Sequence, residues 1–327
     1  MKKRKRNQNI VISDQEPGLP YSKGLMANQV MVTGMTPYGA YQVAERIEDR
    51  LLELQVSSVT RQKLREVAIE VLEEVAGDRY VKNFVGWQKI SDMDVPLVIL
   101  VGGATGVGKS TIATKVADRL DIIRVVATDS IREVMRALFS RELMPTLHTS
   151  SFDADSALRE PPPRPADKVI VGFREQTTAI AVGVHALIER AAVENIRQSS
   201  TVIEGAHVVP GFVETADLED FVVPIPMVIT VEDEDVHRSH FIARTRDSDR
   251  RPFDRYLASF DNIRKVQRYI KSQALSHGWP IVSSYSLDQT IADVIDLVVE
   301  RATEWAAAHR PAAEPMAVPE LEGRIPL

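Results

Sequence analysis

Eight consecutive residues carry the sharpest chemistry in the chain: Gly103, Ala104, Thr105, Gly106, Val107, Gly108, Lys109 and Ser110. They fit the pattern G-x-x-x-x-G-K-[ST]. Glycines let a backbone wrap an anion with its N–H groups turned inward, and a helix starting just afterwards adds partial positive charge. The lysine reaches the β- and γ-phosphates of a nucleotide, and the hydroxyl after it holds Mg²⁺. Lys109 and Ser110 take those roles here, and Thr111 falls near the α-phosphate. The motif requires a strand before it and a helix after it. The apolar run Leu97, Val98, Ile99, Leu100, Val101 and the amphipathic residues 111–120 supply both. ATP and Mg²⁺ are the expected ligands of residues 103–111.

Residues downstream decide what such a loop serves. No N-K-x-D guanine motif occurs, and no second nucleotide motif accompanies the first. A compact small-molecule kinase is favoured over a GTPase or a motor. In open α/β sheets, ligands meet the carboxyl ends of strands. Asp129 falls at such an end, where a carboxylate can orient an acceptor hydroxyl and take its proton, or cap the next helix. Arg132, one turn on, points to the same mouth and can bind an anionic group, or serve as a surface residue. Pro145 is expected to end that helix. His148, Thr149, Ser150 and Ser151 form a polar loop suited to an acceptor phosphate or carboxylate, or to Ser/Thr turns.

The strand at 201–204 ends in Glu204, an acid placed to support Mg²⁺ beside Ser110. Gly205 leaves room for a ligand beside the backbone, and His207 either contacts the acceptor or is a hydrogen-bonded structural residue. His148, His207 and His237 are too widely spread to argue a metal site. An arginine-rich stretch from 235 to 255 stands out in an acidic chain. It suits a lid whose guanidinium groups stabilise a transferring phosphoryl group and whose closure excludes water. Arg238, Arg244 and Arg246 are the candidates, and a solvated helix paired with Asp247, Asp249 and Asp254 is the alternative.

These groups need a scaffold. Short branched runs at 97–101, 124–127, 201–203, 228–231 and 281–283 alternate with helical patterns, which implies a parallel α/β sheet. Residues 92–96 read as a linker. Before it, helical spacing recurs over 40–54 (Tyr41, Val43, Ala44, Ile47, Leu51, Leu52, Leu54) and over 60–75 (Leu64, Val67, Ala68, Val71, Leu72, Val75), with Thr60 among the candidate caps. A short strand is expected at 10–12. The domains expected are a basic flexible tail over 1–9, a small, mostly helical module over 10–91, an α/β domain over 95–308 and a disordered tail over 310–327. The Pro-rich residues 159–165 must form a surface loop.

Composition sets the limits. The chain has 327 residues and no cysteine, which excludes disulfides and cysteine metal sites. No apolar run approaches the ~20 residues of a membrane helix, and the basic start lacks the apolar core of a secretory signal. The expected compartment is the cytoplasm. The net charge is −6, and five basic residues sit at 2–6, leaving 35 basic against 46 acidic residues elsewhere. That balance disfavours nucleic acid as a partner. Helical N-terminal modules often mediate pairing, so a homo-oligomer is compatible with the sequence.

Four blocks in order resemble the 2-phosphoglycerate kinase family: 101–111, Thr128-Asp-Ser-Ile-Arg-Glu-Val-Met-Arg136, Pro145-Thr-Leu-His-Thr-Ser-Ser151 and Ile203-Glu-Gly-Ala-His-Val-Val-Pro-Gly211. The resemblance covers about 95–305 and implies a P-loop NTPase fold of the nucleoside-kinase type, a three-layer parallel sheet. It implies the reaction of ATP with 2-phosphoglycerate to give ADP and 2,3-bisphosphoglycerate, with a small anionic phosphorylated alcohol as substrate. Residues 8–90 are similar to an ATP-cone, a helical nucleotide-sensing module. Another phosphorylated polyol, such as an inositol phosphate, satisfies the same residues. A nucleotide-sensing regulator without kinase activity is the remaining alternative.

Overall fold

The computed structural model describes residues 10–12, 18–246 and 253–309, with only the backbone at 243–246 and 253. The tails expected at 1–9 and 310–327 lie outside the described residues. The chain forms two compact units. One runs to Asp92 and includes Ile291–Thr303; the other holds Met93–Thr290 and the chain from Glu304.

In the first unit, β1 (Val11–Ile12) pairs antiparallel with β2 (Leu19–Pro20) and parallel with a third strand, Ser58–Val59 (β3). Four helices follow, the first three with side-chain caps. They are α1 (Lys23–Met31), α2 (Pro37–Glu53), α3 (Arg61–Val75) and α4 (Asp78–Ser91). Thr36 and Thr60 cap α2 and α3 by accepting from the N–H groups of Gly39 and Lys63. α2 starts three residues earlier than its apolar spacing suggests, because Pro37 suits the first helical turn. Its buried stripe is Ala40, Val43, Ala44, Ile47 and Leu51, packed against Leu64, Val67, Ala68, Val71 and Leu72 of α3. Tyr41, Leu52, Leu54 and Val75, expected on those faces, are exposed. The core of this unit also takes the middle of the last helix, Leu287–Ala308. Asn83 donates to the Thr33 carbonyl (3.1 Å) and to Asp296, and Arg79 pairs with Asp296 (2.6 Å). Gly34 and Gly86 lie where a Cβ would meet Ala292 and Val299.

The second unit is built on five parallel strands: β4 (Leu97–Gly102), β5 (Arg124–Ala127), β6 (Thr201–Gly205), β7 (Val223–Thr230) and β8 (Ile281–Ser283). They lie side by side in the order β5-β6-β4-β7-β8. β4 is central and wholly buried. Val98 and Leu100 pack with Val184 and Ile188 of the long helix Lys168–Glu194, and the alternate side chains of β4 are equally buried on the opposite face. Both faces are therefore covered, as a parallel sheet requires. The helices are α5 (Lys109–Arg119), α6 (Thr128–Leu138), α7 (Lys168–Glu194), α8 (Glu234–Arg246), α9 (Phe253–Ala258), α10 (Phe260–Ser276) and α11 (Leu287–Ala308).

Two expectations need correction. β7 starts five residues before the expected 228, and includes Pro224 and Pro226. Val223 N–H donates to Pro96 beside β4, whereas Val228 N–H donates to Pro280 on the other side. The prolines share the second orientation, where β8 does not yet reach, so no ladder bond is lost. Likewise α6 ends at Leu138, not at Pro145. His148 Nε2 donates to the Phe139 carbonyl at 3.0 Å, and Pro145 instead opens a 3₁₀ turn, Pro145–His148. Among the described residues no helix is long and apolar enough to cross a membrane.

Candidate active site

The sheet register sets the site. Val101 of β4 lies level with Glu204 of β6, which lies level with Ala127 of β5. The phosphate loop, Glu204 and the first turn of α6 therefore emerge together at the carboxyl edge. Gly106 and Gly108 have φ near +90°, a backbone region open to glycine. A Cβ on Gly106 would also strike Phe241 at 2.3 Å. Ala104 and Val107 are buried beneath the loop, and Thr105 is half-buried. Lys109 is buried, and its Nζ donates to the Ala104 carbonyl at 2.7 Å across the loop. Ser110 and Thr111 are exposed on the first turn of α5.

Ser110 Oγ donates to Glu204 Oε1 at 2.9 Å. A hydroxyl and a buried carboxylate so close give two hard oxygen donors at the mouth of the loop. That set fits Mg²⁺, which takes one or two protein oxygens and completes its shell with water and phosphate. No group of three or more His, Cys, Asp or Glu that could hold a metal occurs among the described residues.

α8 braces the outer side of the loop. His237 Nε2 donates to the Thr105 carbonyl and His240 Nδ1 to the Gly106 carbonyl, both at 2.9 Å. Arg264 of α10 donates to the carbonyls of Val231 (2.7 Å) and Glu232 (2.8 Å), and its Nη1 lies 3.4 Å from His237 Nδ1. That leaves the proton of the neutral ring on Nε2, where it faces the loop. Burial pushes the His237 imidazole down to about 4. Arg238, a lid candidate, does not reach the loop by any described bond. Its guanidinium sits 4.1 Å from the centre of the Phe260 ring and 3.5 Å from Glu234. The side chains of Arg244 and Arg246 lie outside the described residues.

The acceptor side is held by a buried polar chain. Thr128 Oγ1 donates to His207 Nδ1 (3.1 Å), and His207 Nε2 donates to Gln176 Oε1 (2.8 Å). Gln176 Nε2 then donates to the carbonyls of Thr146 (2.5 Å) and Thr149 (3.2 Å). Thr128, Thr146, Gln176 and His207 are each no more than 1% exposed. Phe173 stacks on the His207 ring, and burial pushes that ring down to about 3. Both ring nitrogens of His207 are engaged within the protein, as in the structural alternative read from the sequence. At Gly205 φ is +155°, and the space a Cβ would take is filled by Thr128 Oγ1 at 1.7 Å.

Asp129 is mostly exposed in the first turn of α6. The cap position belongs to Ala127, and Asp129 Oδ1 lies 3.4 Å from Arg132 Nε. Arg132 is largely buried and donates to the carbonyls of Leu147 (3.3 Å) and Thr149 (3.0 Å), bracing the loop that follows. His148 faces Phe139, and Ser151 is buried. Ser150 Oγ accepts from Arg255 Nη2 at 2.9 Å, and Arg255 also pairs with Asp153 at 3.1 Å. Thr128, Gln176 and His240 were not singled out by sequence. Gln176 alone left a trace, a polar residue at a position where the α7 stripe of Val169, Phe173, Ile180 and Val184 calls for an apolar one.

A phosphate loop on the central strand of a β5-β6-β4-β7-β8 parallel sheet, with an acid facing its serine and a second cluster at the same edge, is the architecture of a P-loop kinase. Comparison with known proteins narrows the class. The chain is 42% identical over 277 residues to the 2-phosphoglycerate kinase of Methanothermobacter thermautotrophicus, spanning 84% of this chain and 89% of that one. It is 35% identical over 297 residues to that of Thermococcus kodakarensis, spanning 90% and 99%. The chain belongs to the 2-phosphoglycerate kinase family. No protein-family model matches it. Among solved structures, a gluconokinase from Sinorhizobium meliloti 1021 aligns at 12% identity and a TM-score of 0.38 over 66% of this chain and all of that one.

Proposed function

We propose that the protein transfers the γ-phosphoryl group of ATP to the hydroxyl of 2-phosphoglycerate, giving ADP and 2,3-bisphosphoglycerate. The observation that carries this reading is the placement of Lys109, Ser110 and Glu204 at one sheet edge beside Asp129 and Arg132, in a chain so similar to kinases of that name. The loop amides of 103–111 bind the phosphates. Lys109 exchanges its bond to Ala104 for the β- and γ-oxygens. Ser110 and Glu204 would hold Mg²⁺, which would neutralise charge on the nucleotide phosphates. Asp129 orients the acceptor hydroxyl and receives its proton as the new O–P bond forms and the β–γ bridging bond breaks. Arg132 and Ser150 face the anionic end of the acceptor. The lid arginines Arg244 and Arg246 are assigned to the transferring group. Positioning and electrostatics supply most of the rate in such reactions, so no strongly shifted base is needed.

ADP release by purified protein with MgATP tests the reading, run against 2-phosphoglycerate, 3-phosphoglycerate, glycerate, inositol and inositol phosphates. Turnover confined to 2-phosphoglycerate supports it. Turnover with another polyol phosphate instead keeps the site and changes the substrate. Tight ATP binding without turnover of any acceptor overturns the kinase reading. In the same proposal residues 10–91 are an ATP-cone-like module, supported by the small sheet and four helices there. Nucleotide bound at more than one per chain supports that part, and one per chain opposes it.

A further inference from the structure

We propose that Gln176 of α7 is a positioning residue for the phosphate acceptor. Through His207 and Thr128 it locks the first turn of α6 to the loop of residues 146–149. This rests on the kinase reading above. The two ends of the Gln176 amide do different work. Its oxygen accepts from His207, whose other nitrogen holds the Thr128 hydroxyl; its nitrogen holds the Thr146 and Thr149 carbonyls. Thr128 adjoins Asp129 in the chain, and Thr149 adjoins Ser150. One buried side chain, together with Arg132, therefore helps set the separation between the group that meets the acceptor hydroxyl and the loop that meets its charge.

The geometry leaves this chain little freedom. Gly205 gives Thr128 Oγ1 its only room, since a Cβ there would lie 1.7 Å away. Phe173 stacks against the His207 ring and fixes its plane. Arg132 holds the Thr149 carbonyl from the α6 side, and Glu175, next to Gln176, accepts from Thr146 Oγ1 at 3.1 Å. The loop is gripped from two helices, by Arg132 on α6 itself and by Gln176 on α7, and the Gln176 grip continues through His207 to Thr128. Sub-ångström misplacement of groups that orient a reactant is costly in phosphoryl transfer. Removing the Gln176 amide takes one donor from each of two loop carbonyls, leaving that of Thr146 to Thr149 and that of Thr149 to Arg132, so the loop loses its Gln176 tie to α7.

Gln176→Met keeps the length and volume of the side chain and removes both bonds; Thr128→Val is isosteric and breaks the far end; Thr128→Ser keeps the hydroxyl. The expected result for Gln176→Met is a KM for 2-phosphoglycerate raised about tenfold, or about 1.4 kcal/mol, with the KM for ATP changed less than about twofold. Thr128→Val follows the same split and Thr128→Ser restores wild-type behaviour. The double variant Gln176→Met/Thr128→Val is no worse than the worse single change, because the chain breaks only once. Equal changes in both KM values, or multiplying effects, overturn the proposal and leave a packing role. Hydrogen exchange gives a readout that needs no turnover. Amides of 146–153 exchange faster in Gln176→Met while those of 103–111 keep their protection. Unchanged exchange at 146–153 overturns the proposal even if the wild type is inactive on 2-phosphoglycerate, an outcome that separately overturns the substrate reading.

Discussion

Replacing Gly205 with alanine probes the acceptor side of the site through a single methyl group. The backbone there has φ +155°, and the added Cβ falls 1.7 Å from Thr128 Oγ1 and 2.8 Å from Thr128 Cβ. Holding a non-glycine residue in that region costs about 1–3 kcal/mol. Thr128 must also rotate away or shift. Its departure leaves His207 Nδ1 buried without a donor, which costs about 1–3 kcal/mol more. The combined loss, about 2–6 kcal/mol, is a large share of the about 5–15 kcal/mol that keeps a domain folded. Urea unfolding followed by circular dichroism measures it. Adding Thr128→Gly to Gly205→Ala is expected to cost almost nothing further, because the hydrogen bond it removes is already gone. A Gly205→Ala protein within about 0.5 kcal/mol of wild type, the usual spread of an inconsequential change, would refute the packing argument. Full additivity of the two changes would refute its stated cause.

Other expectations concern the phosphate side and the buried rings. Lys109→Ala should lower kcat by about 10²–10³, the cost of removing one preorganised charge donor, and near-wild-type turnover would remove 103–111 from the active site. Glu204→Gln should raise the Mg²⁺ concentration for half-maximal activity by about 10–100-fold; an unshifted Mg²⁺ titration excludes the pairing with Ser110 as a metal site. Acid should destabilise the second unit through His237 and His207, whose folded values are pushed down to about 4 and about 3. Each ring is neutral when folded and takes up a proton on unfolding below its ordinary value near 6.5. Their contribution is complete above that pH and fades as pH falls towards 4, by up to about 1.4 kcal/mol per pH unit for each ring. Urea midpoints measured from pH 7.5 to 4.5 should fall, and less steeply in His237→Gln; identical slopes count against the buried neutral ring.

What could be read from sequence depended on how far apart the cooperating residues lie. The phosphate loop is local, so its glycines, Lys109 and Ser110 declare themselves within eight positions. Glu204 was also readable, because a charged residue ending an apolar strand marks the carboxyl edge of a parallel sheet. The helices at 37–53 and 61–75 were legible as apolar spacing over 40–54 and 60–75, with Thr60 among the candidate caps, though Leu52 and Leu54 show that spacing alone does not choose between the flank and the core of a stripe. The strand at 223–230 was truncated because two prolines argue against a strand until its neighbours are known. The acceptor side resisted most. Thr128, Thr146, Gln176 and His207 come from four separate segments, and nothing in their own neighbourhoods says they will meet. His207 and Gly205 invited a functional reading by position. Their actual partners are other buried residues.

The helix α11 gives the first unit an unusual order of manufacture. Its residues 291–303 belong to the core begun by residues up to 92, yet 198 residues, 93–290, are made between them. At about 5–20 residues per second, α1 to α4 wait about 10–40 s for the segment that covers Gly34, Asn83 and Gly86. Through that interval α1 to α4 pack on one another without α11, while the whole parallel sheet of the second unit is made. Residues up to 92 are thus made before the second unit and completed after it, and chaperone demand during synthesis should fall on them rather than on the nucleotide-binding unit.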